Sequence, residues 1–518
     1  MKPRQTLPIS PNAQDCAKII GGWIDQCSLE HIFCNEEQAR HFLPTRLIDV
    51  GLFNSQNHVR LVCTSDFQDT SAKFAALSHC WGARDDRIKT IPKTTKATIQ
   101  DRLERVCWDE LTQTFQDAIA VTRSLNLRYI WIDSLCIVQN DEEDFAREAS
   151  QMASIYGEAH VVLAATSAAT GDIGLFQNRA ESQLVSRVNS KGRVLSLRVK
   201  KEIEHTDFTT GEPRHFASTP LFARAWCFQE RLLARRVVHF ADDEMIFECK
   251  EKLWCECTLL FPEHELYQNF KVRLAYSLRK ESAKARFQAW YSVLRPYTAR
   301  SLSFESDRFP ALSGFARLIA IPELGSYCAG LWRNELPSGL LWRVIRALPE
   351  NNDVIQRPEK YRAPTWSWAG VQAVIEGHIT FHDTVEAVAH VLEVDCTPAG
   401  SDPFGEVTQG HIVLEAPMLE VTLDPAGNSM DAASRAYLVS RVDEDDRRPM
   451  EADLHLDGVS ANAVCVAIER WTNGFCDNRV SCLVLQKCES VKHYSRAGTI
   501  ECPYGWFGDV RTKTVTIV

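Results

Sequence analysis

The stretch Arg128 to Ala168, RYIWIDSLCIVQNDEEDFAREASQMASIYGEAHVVLAATSA, decides the fold because it reads as one strand–helix–strand unit. Tyr129-Ile130-Trp131-Ile132 is a continuously apolar run of aromatic and β-branched residues, the pattern of a strand covered on both faces. It ends at Asp133. The acidic run Asp141-Glu142-Glu143-Asp144 suits a helix N-terminus, where carboxylates meet exposed amides and the favourable end of the dipole. Phe145, Ala149, Met152, Ile155 and Tyr156 recur at helical spacing and predict an amphipathic helix packed on a sheet. His160 to Ala165 reads as a second buried strand, so the unit predicts parallel strands joined by a right-handed crossover.

Ligands of open parallel sheets bind beyond the carboxyl ends of the strands. Asp133-Ser134 and Thr166-Ser167 lie there, as does Ser78-His79-Cys80-Trp81-Gly82, which follows the apolar run Phe74 to Leu77. Three strand ends thus converge on one candidate crevice, and Gly82 supplies a conformation that residues with a Cβ resist.

Outward from this core, the 518 residues divide into four predicted regions: a helix and hairpin unit at 1–70, an α/β core at 71–260, a helical region at 261–365 and a β-rich region at 366–518. Residues 16–43 predict one helical region, followed by the strand-like runs Leu43 to Gly51 and Val59 to Cys63. Leu111, Phe115, Ala118, Ile119, Thr122 and Leu125 form a helix stripe. Beyond Ala168 the chain reads as hairpins and loops, and Leu221 to Leu233 as a helix that groups Trp226, Gln229, Glu230 and Leu233. Short alternating runs after Gly370 predict strands.

With 45% hydrophobic and 24% charged residues the composition is globular. The formal net charge is −10 and no Lys/Arg cluster is dense enough to track a phosphate backbone, so nucleic-acid binding is not expected. No apolar run approaches the ~20 residues of a membrane span, and the N-terminus lacks the apolar core of a secretory signal. These features lead us to expect a cytoplasmic protein whose eighteen cysteines are mostly buried thiols. Cys27, His31 and Cys34, spaced i, i+4 and i+7, could present metal ligands on one helix face, with Cys16 or His41 nearby to complete a set. Cys249, Cys255 and Cys257 with His239 form a second set of unusual spacing. For both, the expectation is buried thiols and no metal. Neither a P-loop, a G-x-G-x-x-G fingerprint nor a G-x-S-x-G elbow is present.

Five motifs in order carry a family resemblance: Leu43 to Asp49 (LPTRLID), Ala76 to Gly82 (ALSHCWG), Tyr129 to Ile137 (YIWIDSLCI), Arg224 to Glu230 (RAWCFQE) and Ala363 to Trp368 (APTWSW). Together they resemble fungal heterokaryon-incompatibility (HET) domain proteins, with the domain at roughly residues 71 to 235. The resemblance implies a protein that triggers cell death when incompatible strains fuse. It also implies a distant relation to TIR domains, some of which cleave NAD at the nicotinamide–ribose bond. The expected fold class is therefore α/β, a TIR-like or flavodoxin-like parallel sheet with helical insertions and a β-rich C-terminal domain. One departure stands out: Val138 occupies the position between Ile137 and Gln139 where the family usually has Asp.

Cleavage of NAD through an oxocarbenium-like centre needs a carboxylate, an apolar wall for nicotinamide and donors for the phosphates. Glu230, Asp133 and His79 are the candidate catalytic residues, and Ser78, Trp81, Gly82, Cys136, Gln139, Arg224, Trp226 and Gln229 the candidate ligand-binding ones. Arg224 and Glu230 also read as a fixed ion pair, and the tryptophans as core. A His79 dyad with Cys136 or Cys80 is a weaker nucleophilic reading, since no orienting third residue is visible. NAD as substrate is one expectation. A repurposed enzyme of secondary metabolism that orients an apolar small molecule, some of the thirteen tryptophans lining its pocket, is a second. A non-catalytic module that assembles as a homo-oligomer is a third.

Overall fold

The computed structural model describes residues 9–35, 42–51, 59–69, 71–82, 91–179, 183–188, 190–199, 205–211, 217–257, 269–280, 282–348, 355–379, 384–425, 436–440, 447–454, 461–473, 476–488, 493–508 and 510–518. The chain forms two compact units, Met1–Tyr276 and Ser277–Val518.

The strands of the first unit, in chain order, are β1 (Arg46–Asp49), β2 (Arg60–Cys63), β3 (Phe74–Ser78), β4 (Tyr129–Trp131), β5 (Val161–Ala164), β6 (Gln183–Val188), β7 (Val194–Val199), β8 (Arg236–Phe240), β9 (Met245–Cys249) and β10 (Leu253–Cys255). Its helices are α1 (Ala13–Glu30), α2 (Ile32–Asn35), α3 (Ile99–Glu104), α4 (Gln113–Ser124), α5 (Asp133–Cys136), α6 (Glu142–Glu158), α7 (Thr206–Thr209) and α8 (Ala225–Leu233). Among the described residues eight strands form one sheet in the order β10-β9-β8-β5-β3-β4-β1-β2. The inner four, β4-β3-β5-β8, are parallel, and antiparallel pairs extend both edges. Strands β6 and β7 form a separate hairpin.

The parallel centre follows from its side chains. Ala75, Ala76, Leu77, Ile130, Trp131 and Leu163 are fully buried, each large one stabilising by about 1.5–3 kcal/mol relative to exposure. The crossover from β4 to β5 spans β3, so the ends of three strands stand side by side. Helix α6 starts as expected, with the Asp141 side chain accepting from Asp144 N. Its buried stripe differs from the predicted one, because Phe145 is 44% exposed while Asp144 and Glu148 are buried. The cause is Arg46, a buried guanidinium on β1 that pairs with both carboxylates. An uncompensated buried charge would be far costlier than one exposed phenylalanine.

The predicted helix over 16–43 is also corrected. Helix α1 ends at Glu30, His31 is extended at φ −104°, ψ 114°, and α2 adds a single turn.

The helix Phe270–Arg279 ends inside the second unit, which continues with helices Ala283–Thr298 and Pro310–Ile319. The helical expectation stops there: 3-10 turns and the hairpins Tyr327–Cys328/Leu331–Trp332 and Arg343–Ala347/Ala373–Glu376 follow. From Thr384 on, the described residues form a nine-stranded, almost wholly antiparallel sheet. Trp290, Trp332, Trp342, Trp366 and Trp368 are among its largest fully buried side chains. These five are packed inside the second unit.

Candidate functional site

The crevice is built at the carboxyl ends of β3 and β4, with α8 running beside it. Strand β3 delivers Ser78 and His79, then turns at Gly82, whose φ of +83° is a left-handed conformation that favours glycine. Strand β4 delivers Asp133, the first residue of α5. Helix α8 follows Arg224, which has extended dihedrals and donates from Nη1 to the His79 carbonyl at 3.1 Å. That bond ties the helix to the end of β3.

The predicted site residues separate into a floor and a rim. Ser78, His79, Cys136, Gln229 and Glu230 are buried beneath; Trp81, Asp133, Gln139, Arg224 and Trp226 are half-buried, and Gly82 is exposed. On the rim, Trp81 Nε1 donates to Asp133 Oδ2 at 2.8 Å, and the Lys93 ammonium lies 4.8 Å from the centre of the same indole. His79 Nε2 is 3.6 Å from Asp133 Oδ1, and the Asp133 side chain keeps 20% of its surface exposed. Asp133 is thus the carboxylate that reaches solvent.

On the floor, Glu230 is only 5% exposed, and its Oε2 is buried with no hydrogen-bond partner. Burial pushes its carboxyl up to about 7, against the opposing hydrogen bond from Ser78, while nearby Asp133 adds to the rise. The Tyr156 hydroxyl of α6, which donates to the Leu77 carbonyl at 3.2 Å, opposes the rise as Ser78 does. His79 is shifted down by burial, against the attraction of Asp133, so its imidazole is neutral. Its Nε2 has no hydrogen-bond partner, and its ring meets Phe115 edge-on at 5.0 Å.

Other candidates are committed elsewhere. The Gln139 amide donates to the Asp133 and Ile137 carbonyls at 3.1 and 3.3 Å and braces the loop after α5. Burial pushes the Cys136 thiol up to about 12 and raises that of Cys80, the opposite of nucleophile activation. Thr166 turns to His239 Nδ1 at 3.0 Å. Val138 is 5% exposed, and its N–H donates to Asp144 Oδ2 at 2.8 Å. Sequence reasoning missed Tyr156, Lys93 and the support of the loop by Arg46. Tyr156 lies on the predicted helix stripe, a signal that was available, whereas Lys93 has no local pattern to mark it.

Elsewhere in the first unit two groups of ligand-type side chains meet, Cys27 with His31, Cys34 and Cys249, and His205 with Glu244, Cys255 and Cys257. Cys16 and His239 take part in neither, and His41 lies outside the described residues. In the second unit a cavity of about 810 Å³ is lined by Arg357, Tyr361, Arg362, Pro364, His411 and His493 among others. It shares no residue with the crevice. No helix among the described residues is long and apolar enough to cross a membrane.

A parallel α/β centre with acidic, aromatic and basic groups gathered at its strand ends defines the class of protein. Residues 74–230 match the family described as heterokaryon incompatibility protein (HET), so this part of the chain carries a HET domain. The match begins on the first residue of β3 and ends on Glu230, so it encloses every predicted site residue. Neither a curated protein nor a solved structure matches the chain.

Proposed function

We propose that this HET-domain protein is an incompatibility effector that hydrolyses the nicotinamide–ribose bond of NAD at the crevice. The observation that carries the reading is the Asp133 carboxylate, held by the Trp81 indole at 2.8 Å and still open to solvent. Heterolysis of the C1′–N bond leaves its electron pair on nicotinamide, which departs neutral, and a cationic centre on the ribose. A fixed carboxylate in a partly dry site stabilises that cation as it develops. Water then adds at C1′ and loses a proton, giving ADP-ribose. Trp81 and Trp226 provide apolar walls for the nicotinamide, and Arg224 and Lys93 provide cations for the diphosphate. Glu230 lies under these groups and is a positioning residue, joined to the crevice through Ser78 and Tyr156. Depletion of NAD would account for cell death after fusion of incompatible strains, and self-association would bring crevices together at high local concentration.

The test is free nicotinamide, followed by chromatography, from purified full-length protein incubated with NAD over a range of protein concentrations. Asp133→Asn should lower release by about a hundredfold or more. Glu230→Gln should lower it less and flatten the pH profile near 7, where its carboxyl titrates. Release untouched by Asp133→Asn, or no release at any concentration, overturns the reading.

A further inference from the structure

Helix α1 ends one residue before His31, and this single extended residue redirects the chain so that α2 carries Cys34 back over Cys27. From the other end of the unit, β9 delivers Cys249 as its last residue. The turn into β10 aims two backbone N–H groups at the Cys249 sulfur, from Glu251 at 3.5 Å and Lys252 at 3.3 Å. Cys249 Sγ lies 3.3 Å from His31 Nδ1, and the ligand atoms of Cys27, His31, Cys34 and Cys249 all fall within 4.8 Å of one another. All four residues are buried, at 0%, 3%, 0% and 0% exposure. In a tetrahedral zinc site the bond lengths to sulfur and nitrogen place ligand atoms about 3.3–3.8 Å apart. The cluster has that composition and needs only a small contraction to reach that size.

A second observation is electrostatic. Arg236, 3% exposed, points Nε at Cys27 Sγ from 3.3 Å, and its Nη2 bonds the Ser28 hydroxyl and the Asn35 carbonyl oxygen at 3.1 and 3.4 Å. No carboxylate pairs with it among the described residues. A buried guanidinium that meets only a thiol, a hydroxyl and an amide oxygen lacks a counter-charge, which is unfavourable. Zinc with three thiolates and one imidazole carries a single net negative charge, which this guanidinium matches.

We propose that Cys27, His31, Cys34 and Cys249 bind a structural zinc ion. Four protein ligands leave no open coordination position, so the ion is a fastener rather than a Lewis acid. It clasps α1 and α2 to the β9–β10 hairpin, a junction already marked by Phe33 N donating to Glu251 Oε1 at 2.5 Å. The His205, Glu244, Cys255 and Cys257 group differs: His205 and Glu244 already pair at 2.6 Å, and Glu244 also accepts from Cys257 N at 2.8 Å. Those contacts are complete without an ion, and no metal is assigned there.

The experiment uses the full-length chain, purified without chelator, with its zinc content measured by elemental analysis. A Cys255→Ser/Cys257→Ser variant keeps all four proposed ligands and should retain about one equivalent, while Cys34→Ser should retain none. Should Cys34→Ser fail to fold, cobalt exchanged into the Cys255→Ser/Cys257→Ser protein gives the same information. A sulfur-to-cobalt charge-transfer band with tetrahedral visible bands supports the site. Zinc absent from the double variant, a spectrum of octahedral aqueous cobalt, or a Cys27–Cys249 or Cys34–Cys249 disulfide found by mass spectrometry overturns it.

Discussion

Two regions rich in tryptophan and small polar residues use the same vocabulary differently: the crevice of the first unit and the tryptophan-lined centre of the second. In the second, Trp368 Nε1 and Trp290 Nε1 both donate to the Gly330 carbonyl, at 2.8 and 2.9 Å. Ser367 Oγ donates to the Ala329 carbonyl at 2.6 Å, and Trp342 Nε1 to that of Trp366 at 2.9 Å. The Trp332 and Trp366 indoles, the Tyr291 hydroxyl and nitrogens of Arg300, Arg308 and Arg496 are left over, but among the described residues of this unit no buried carboxylate or imidazole is. In the crevice the unpartnered buried atoms include His79 Nε2 and Glu230 Oε2, on an imidazole and a carboxylate. Buried polar groups are normally paired, and unpaired imidazoles and carboxylates are a mark of function rather than packing. The lesson is that a motif acquires its meaning from which of its polar atoms remain unspent.

The sharpest way to break this comparison is Gly330→Ala. Gly330 has φ +92°, and a Cβ there would lie 2.4 Å from Trp368 Nε1 and 2.8 Å from its Cε2. Both the backbone and the packed indole oppose the methyl group, so the second unit should lose about 3 kcal/mol or more. Thermal unfolding followed by near-ultraviolet circular dichroism checks this, and a wild-type melting curve would end the reading of this region as tight packing.

On the crevice side the comparable experiment is pH-dependent. Glu230 binds its proton more tightly when folded, its carboxyl being raised from the ordinary 4.5 to about 7 by burial. Its contribution to stability is therefore fully present below pH 4.5 and is lost as pH rises through about 7, a penalty of about 3 kcal/mol above that range. A glutamine carries no such penalty. Glu230→Gln should match wild type in urea unfolding at pH 4.5 and exceed it at pH 8. Equal stability at pH 8 would mean that the carboxylate is well solvated and that the floor is not dry.

Much of this was legible beforehand because it rests on local period. The apolar runs at Phe74 to Leu77, Tyr129 to Ile132 and Val161 to Ala164 could only be buried strands, and their ends bring Ser78, Asp133 and Thr166 to one side. Phe145 misled because hydrophobic periodicity does not know about Arg46, whose charge lies almost a hundred positions away and claims the helix face for Asp144 and Glu148. The floor and rim division was equally invisible: Glu230 and Asp133 are both acidic residues in promising motifs, and only the packing of α8 decides which one reaches water. The Cys27, His31 and Cys34 spacing was visible, but the fourth member, Cys249, comes from a strand that no local rule connects to α1.

The smallest expected effects form a matched pair. Trp81→Phe deletes the hydrogen bond to Asp133 Oδ2, and Ser367→Ala deletes two, the one Oγ donates to the Ala329 carbonyl and the one it accepts from Ala369 N. The net worth of such a bond is about 1 kcal/mol, rising toward about 2 where a buried acceptor is left unsatisfied. Ser367 is fully buried, so its loss should appear as a stability change of about 1–2 kcal/mol with nicotinamide release unaltered. Trp81 is half-buried and its acceptor can turn to water, so stability should fall by about 1 kcal/mol or less. Release should instead drop about tenfold, because a carboxylate freed to rotate no longer waits at the ribose. If the two variants lost activity and stability in the same proportion, the distinction between packed and unspent polar groups would have no functional content.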